Sequence, residues 1–383
     1  MAKRFNITGT CFPEDHYMVD ISDRLSQIKE MVDNGDYFCI NKGRQYGKTT
    51  TFSQLKEKLS DDYCVFSISF EGLSNQGFSS LGNIGASFFY SLLKECKYKN
   101  VKNISLSAQE FLSKEFSFDE NDEEKISDAI SDFCILNEKP IVIFIDEVDQ
   151  ASNYDAFLKF LGLLRDKYLN RKTIPAFHSV ILAGVYDIKN LKLKLRPEEN
   201  HKYNSPWNIA APFKVRMEFD AKDISTMLSD YEKDYQTGMD IGNISKAIED
   251  YTGGYPFLVS RLCMIIHEDV SKLPDFDLKK AWTNDGVLEA VKIILKDENT
   301  LFDDMRKKLD DFPGMRKAVF DILYEGKAIT FNAYDKDLNI AKMFCFIKDA
   351  GGKVAVSNRI FEVWFYNLFV SEASKNDDII SEG

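Results

Sequence analysis

The sequence predicts an α/β chain: a parallel sheet flanked by helices, then a helical portion, then a small unit of helices with a glycine-turned hairpin. Three observations carry this. Through the first half, short β-branched runs alternate with longer amphipathic segments, the order that builds a helix-covered parallel sheet. From about Phe219 the strand runs stop and helical periodicity takes over. Near the end, Gly351-Gly352 opens a short strand-like stretch ahead of an aromatic helical run from Arg359 to Phe369.

The first strand is Tyr37 to Ile40, which leads into a glycine-containing turn and an amphipathic segment, Thr51 to Leu59. Cys64 to Phe70 is the second. Pro140-Ile141-Val142-Ile143-Phe144-Ile145 is apolar enough to be buried on both faces, as strands of a covered parallel sheet are. Tyr154 to Asn170 places Phe157, Phe160, Leu161, Leu164 and Tyr168 at helical spacing before a fourth strand, Ser179 to Gly184, which makes a strand–helix–strand crossover. Ala221 to Tyr235, Tyr255 to Val270 and Met315 to Tyr324 read as helices, and the hairpin with its glycine turn suggests a winged-helix unit. The expected division is an α/β domain over 1–218, a helical domain over 219–300, a winged-helix-like domain over 301–371 and a loose polar tail over 372–383.

Composition narrows the function classes. A chain of 383 residues suggests two or three domains at about 150 residues each. With 44% hydrophobic and 29% charged residues it is neither disordered nor a disulfide-stapled miniprotein. The net charge of −12 excludes a protein that coats polyphosphate over its whole surface, so nucleic-acid contact needs a local basic patch. Lys189 to Arg196, with Lys202, is the densest one; it reads either as a phosphate contact or as an amphipathic strand with a solvated basic face. The seven cysteines are scattered and form no C-x-x-C pair, and the four histidines show no ligand spacing, so neither a disulfide framework nor a zinc site is expected. No apolar run approaches the roughly 18 residues of a membrane span, and the start lacks a signal-peptide core, which leads to the expectation of a cytoplasmic chain without a membrane anchor. G-x-S-x-G, H-E-x-x-H and G-x-G-x-x-G are all absent.

The chemistry concentrates in two places. Lys42, Gly43, Arg44, Gln45, Tyr46, Gly47, Lys48, Thr49 and Thr50 lie between an apolar strand run and an amphipathic helix, the context of a P-loop. Such a turn points backbone N–H groups inward at a helix N-terminus, where the dipole favours phosphate. Gly47 lets the backbone approach, Lys48 reaches the β and γ phosphates, and Thr49 holds Mg²⁺. The pattern departs from G-x-x-x-x-G-K-[ST] at its first glycine, where Lys42 stands and Gly43 follows. The second place is Ile141 to Glu147, a buried strand ending in two acids: Asp146 takes the metal through water and Glu147 polarises the attacking water. Separately these are a glycine turn before a helix and a core strand with an acidic end; together, in this order, they imply ATP and Mg²⁺ as cofactors.

On these residues the chain resembles the P-loop ATPases of the AAA+ superfamily, in particular the STAND-like branch and the bacterial AAA-ATPase-like proteins that often carry a PD-(D/E)XK nuclease domain. The resemblance implies a P-loop NTPase parallel sheet flanked by helices, followed by a helical lid and a winged-helix domain. Leu182-Ala183-Gly184-Val185 falls where that family has its sensor 1 strand, without an obvious polar sensor residue. Thr252-Gly253-Gly254-Tyr255-Pro256-Phe257-Leu258 is similar to the G-x-P motif of the lid, which would bring Gly254 and Pro256 to the nucleotide; the same residues could simply cap one helix and begin the next. Asp149 either assists the metal or caps the following helix, capping being favoured. Phe5 to Thr10 with Tyr17 is a candidate adenine contact, and Arg165, Arg171 and Arg196 are candidate arginine fingers. Arg44 points to the γ phosphate or to a partner.

The leading expectation is an ATPase converting ATP to ADP and phosphate, with Lys48, Asp146 and Glu147 in catalysis, Thr49 and Asp146 on Mg²⁺, and lid closure coupling nucleotide state to domain arrangement. The alternative is a nucleotide-gated switch that holds ADP or ATP and hydrolyses it rarely. The missing sensor, the altered loop start and the unassigned arginine finger point that way. Expected partners are ATP or ADP, a protein partner or downstream nuclease domain, and further copies of the chain in an oligomer. DNA, through the winged helix, is the least supported partner, and no membrane is expected.

Overall fold

The computed structural model describes residues 3–151, 154–185, 207–332 and 334–381. The chain divides into two compact units: a sheet unit, Ser22–Lys42 with Lys48–Val215, and a helical unit, Met1–Ile21 with Gly43–Gly47 and Arg216–Gly383.

The sheet unit runs α1 (Ser22–Asp33), β1 (Tyr37–Asn41), α2 (Lys48–Leu59), β2 (Cys64–Ser69), α3 (Leu81–Tyr98), α4 (Leu106–Leu112), α5 (Glu123–Leu136), β3 (Ile141–Asp146), α6 (Asp155–Asn170) and β4 (Ser179–Gly184). The four strands are parallel in the order β1-β4-β3-β2. Every residue of β3 and β4 is buried, which is why both read as continuous apolar runs rather than alternating ones. Alternation survives in where the side chains go. Ile141, Ile143 and Ile145 join a core with Phe66, Phe88, Phe133 and Phe160, whereas Phe144 faces the other way and stacks on Phe52 of α2, ring centroids 4.8 Å apart. Asn41 pairs with Gly184 and Ile145 with Leu182, so β1, β4 and β3 end level with one another. Carboxyl ends of parallel strands are where such sheets place their ligands.

The helical unit comprises α7 (Ala221–Tyr235), α8 (Ile241–Thr252), α9 (Pro256–Glu268), α10 (Leu278–Ala281), α11 (Asn284–Ile294), α12 (Thr300–Asp311), α13 (Pro313–Leu323), α14 (Lys336–Met343), β5 (Ile347–Ala350), β6 (Lys353–Val356) and α15 (Arg359–Ser381). β5 and β6 form an antiparallel hairpin, and Thr330 bridges to Lys353 beside it. The expected loose tail is instead helical, because α15 continues through Ser381. No glycine or proline interrupts that stretch, and the Glu372 carboxylate is paired with Arg316 of α13. Among the described residues no helix is long and apolar enough to cross a membrane. Lys189 to Arg196 and Lys202 lie outside the described residues.

Candidate functional site

The strand ends bring the two acidic and basic motifs together. β1 stops at Asn41 and α2 begins at Lys48, whose side chain is only 7% exposed. A buried ammonium needs a polar partner. Its Nζ donates to the Lys42 carbonyl 2.7 Å away, so the lysine folds back on the turn that leads to it. Thr49 Oγ1 donates to Asp146 Oδ2 at 2.9 Å, and Asp146 Oδ1 accepts the Glu147 N–H at 2.9 Å. Both oxygens of the last β3 residue are therefore engaged, one by the start of α2 and one by its own following amide. Burial pushes the Glu147 carboxyl above the usual carboxylate range; the Asp146 charge adds to this and the Lys48 ammonium opposes it.

The tip of the loop is held by side chains of the helical unit. Tyr255 Oη donates to the Arg44 carbonyl, and its ring meets that of Tyr46 edge-on at 4.5 Å. Tyr46 Oη donates to Glu218 Oε1 at 3.1 Å, and Gln45 Nε2 donates to Thr300 Oγ1 at 3.2 Å. Gly43 is buried, and a β-carbon added there would stand 3.4 Å from Cys345 Sγ. Burial raises both tyrosine hydroxyls well above their ordinary range, so each stays protonated and able to donate. The Arg44 side chain is exposed and Thr50 lies in the first turn of α2. Sequence reasoning named Tyr255 only as part of a glycine–proline motif and did not find Glu218 or Thr300, which carry no motif of their own.

Gly254 and Pro256 form a helix–helix junction. Gly253 caps α8 in the left-handed region, Gly254 follows at φ 72°, and Pro256 is the first residue of α9. Asp149 does not cap α6: that N-cap is Tyr154, and the Asp149 Oδ2 instead accepts the N–H of Val185, 2.6 Å away, just past β4. A helix cap must sit at the residue before the helix, and residues 150–154 intervene. Arg165 Nε donates to Asn208 Oδ1 at 2.8 Å; Arg171 donates to the Gly35 carbonyl and lies 4.0 Å over the Tyr168 ring, so both are engaged within the sheet unit. Arg196 lies outside the described residues. Phe5 and Tyr17 are core residues, packed on Tyr231, with Tyr17 Oη donating to Asp234 at 2.6 Å, and do not form an open ring platform.

The donor set fits Mg²⁺. A threonine hydroxyl and a carboxylate are hard oxygen donors of the kind Mg²⁺ takes, and here they lie 2.9 Å apart. The AAA-like domain family matches residues 16–317. The chain belongs to that family. The fold of this AAA-like chain is similar to that of the Walker-type ATPase Paby2304 of Pyrococcus abyssi, with a TM-score of 0.60 and 15% identity over 94% of this chain and 99% of that one. It also aligns with the Aeropyrum pernix ORC2 protein, TM-score 0.47 and 11% identity, over 96% of this chain and 97% of that one. For the Thermotoga maritima RuvB Holliday junction branch migration motor the values are 0.43 and 14%, over 88% and 92%. Among curated proteins compared by sequence, none matches. The AAA-like chain thus has the fold of the P-loop ATPases, a parallel four-stranded sheet flanked by helices.

Proposed function

We propose that this AAA-like protein binds ATP with Mg²⁺ and hydrolyses it to ADP and phosphate. The observation that carries the reading is the meeting of Thr49, next to Lys48 at the start of α2, with Asp146, at the end of β3. In this reading Lys48 exchanges the Lys42 carbonyl for β- and γ-phosphate oxygens, and amides of the turn and of the first turn of α2 donate to the remaining phosphate oxygens. Thr49 and Asp146 hold Mg²⁺, which when bound neutralises charge developing on the phosphates. Glu147 orients water and takes its proton as the γ-phosphoryl bond to the leaving oxygen breaks.

Loop residues 43–47 and Tyr255 support a coupling role for the helical unit, because the residue beside Gly254 and Pro256 touches the backbone of the loop. We assign the helical lid to 219–300 and the winged-helix-like domain to 301–371. Support for the latter is the run α13, bridge at Thr330, α14, β5–β6 hairpin. The alternative, a switch that holds nucleotide and turns it over rarely, draws on the end of β4: Ala183, Gly184 and Val185 offer no polar side chain there.

ATP and ADP binding with and without Mg²⁺, on wild type and Lys48→Ala, tests the reading. Mg²⁺-dependent binding that Lys48→Ala weakens by roughly a hundredfold or more, as expected for removing a charged phosphate contact, supports it. Wild type that binds neither nucleotide, or binding indifferent to Lys48, refutes it.

A further inference from the structure

Glu147 occupies the left-handed region, φ 53° and ψ 41°, which a side chain with a β-carbon rarely adopts. Such a conformation persists only where its surroundings over-determine it. Before it, Asp146 Oδ1 accepts the Glu147 amide at 2.9 Å. After it, the chain makes a single helical turn, Val148–Gln150, closed by the Ala151 N–H on the Val148 carbonyl at 3.1 Å, with Val148 and Ala151 buried in the core. A further tie is the Asp149 carboxylate, whose Oδ2 accepts the Val185 N–H at 2.6 Å and so staples this turn to the end of the neighbouring strand. Gly184 leaves room for it: a β-carbon there would stand 2.9 Å from Asp149 Oδ1 and 2.9 Å from Val148 Cγ2.

We infer that Asp149 is a positioning residue for hydrolysis: by holding the turn after Glu147 against β4 through the Val185 amide, it fixes the backbone from which the Glu147 carboxylate meets the attacking water. The inference rests on the reading of Glu147 as the water-orienting group. It explains why a strand at this place ends in Gly184-Val185 with no polar side chain: what the β4 end contributes is an N–H and an absence of bulk. A misplacement of about 1 Å in a group that orients a reactant lowers turnover by roughly a hundredfold while leaving the binding contacts intact. Loss of the staple should therefore act on kcat and spare KM.

The test compares ATP turnover and ATP binding in wild type, Asp149→Ala, Asp149→Asn and Gly184→Ala, with thermal unfolding followed for each. Asp149→Ala should lose roughly ten- to a hundredfold in kcat with KM and ATP affinity within about threefold of wild type. Asp149→Asn keeps an oxygen acceptor for Val185 and should recover most of the rate. Gly184→Ala keeps the carboxylate but displaces it, and should resemble Asp149→Ala; it stands in for that variant should Asp149→Ala not fold. Unchanged kcat in either alanine variant, a loss carried by KM alone, or Asp149→Asn as slow as Asp149→Ala would overturn the inference while leaving the ATPase reading intact. Wild type that binds ATP but never turns it over would overturn both.

Discussion

Thr49 Oγ1 donates to Asp146 Oδ2 across 2.9 Å although 97 positions separate them in the chain. The same two elements also meet through Phe52 and Phe144, whose rings stack at 4.8 Å. Three residues beyond Thr49 on α2 and two before Asp146 on β3, this buried pair fixes how the helix lies on the sheet. The polar contact inherits its geometry from the core. A site built on packed elements in this way is held more firmly than one built on loops.

The hydroxyl of Thr49 should matter chiefly for the metal. Removing one oxygen ligand in Thr49→Ala should weaken Mg²⁺-dependent ATP binding by roughly ten- to a hundredfold, the scale of one hydrogen bond to a charged group. Binding without Mg²⁺ should change little. Titrating Mg²⁺ at fixed ATP in both proteins checks this; coincident curves would remove Thr49 from the metal.

Gly254 is constrained by both conformation and space. At φ 72° a β-carbon would stand 2.0 Å from the Phe219 carbonyl oxygen. Gly326 has a similar φ of 63° but nothing within 4 Å. Gly326→Ala should cost only the left-handed penalty, about 1–2 kcal/mol, whereas Gly254→Ala adds overpacking for a total of about 3 kcal/mol or more. Urea unfolding of the two variants measures the gap, and equal losses would contradict it.

Acid should destabilise the sheet unit through His178. Burial lowers its pKa, the Val32 carbonyl, 2.8 Å from Nε2, opposes the shift, and the Arg171 charge adds to it. The unfolded chain therefore takes up a proton near the ordinary value of about 6.5, before the folded chain does. Because the unfolded state then binds more protons, stability falls as pH drops from about 6.5 toward the lower folded value. Chemical unfolding at pH 7.5 and 5.5 should show a larger loss for wild type than for His178→Gln; equal losses would assign the acid sensitivity elsewhere.

Much of the α/β half was legible because its strands are buried on both faces: Ile141 to Ile145 and Ser179 to Gly184 could hardly be anything else. The motif residues Lys48, Thr49, Asp146 and Glu147 could be singled out for the same reason, since they lie at or beyond strand ends. The helices between β2 and β3 were not, and α3 shows why: Gly82 and Gly85 near its start imitate a turn. Asp149 read as a helix cap because its partner is a backbone amide 36 positions away, and backbone donors leave no trace in a sequence. Tyr46 with Glu218 and Gln45 with Thr300 are likewise long-range pairs between residue types found anywhere on a surface. The helical extension to Ser381 lacked an apolar stripe to announce it.

Phosphate release and ATP binding, measured in the same samples of wild type, Lys48→Ala and Glu147→Gln, separate the roles of the two strand ends. Glu147→Gln should bind ATP within about threefold of wild type but lose turnover by roughly a hundredfold or more, while Lys48→Ala should lose binding itself. Equal loss of binding in both variants, or full turnover in Glu147→Gln, would contradict the division of labour between the ends of β1 and β3.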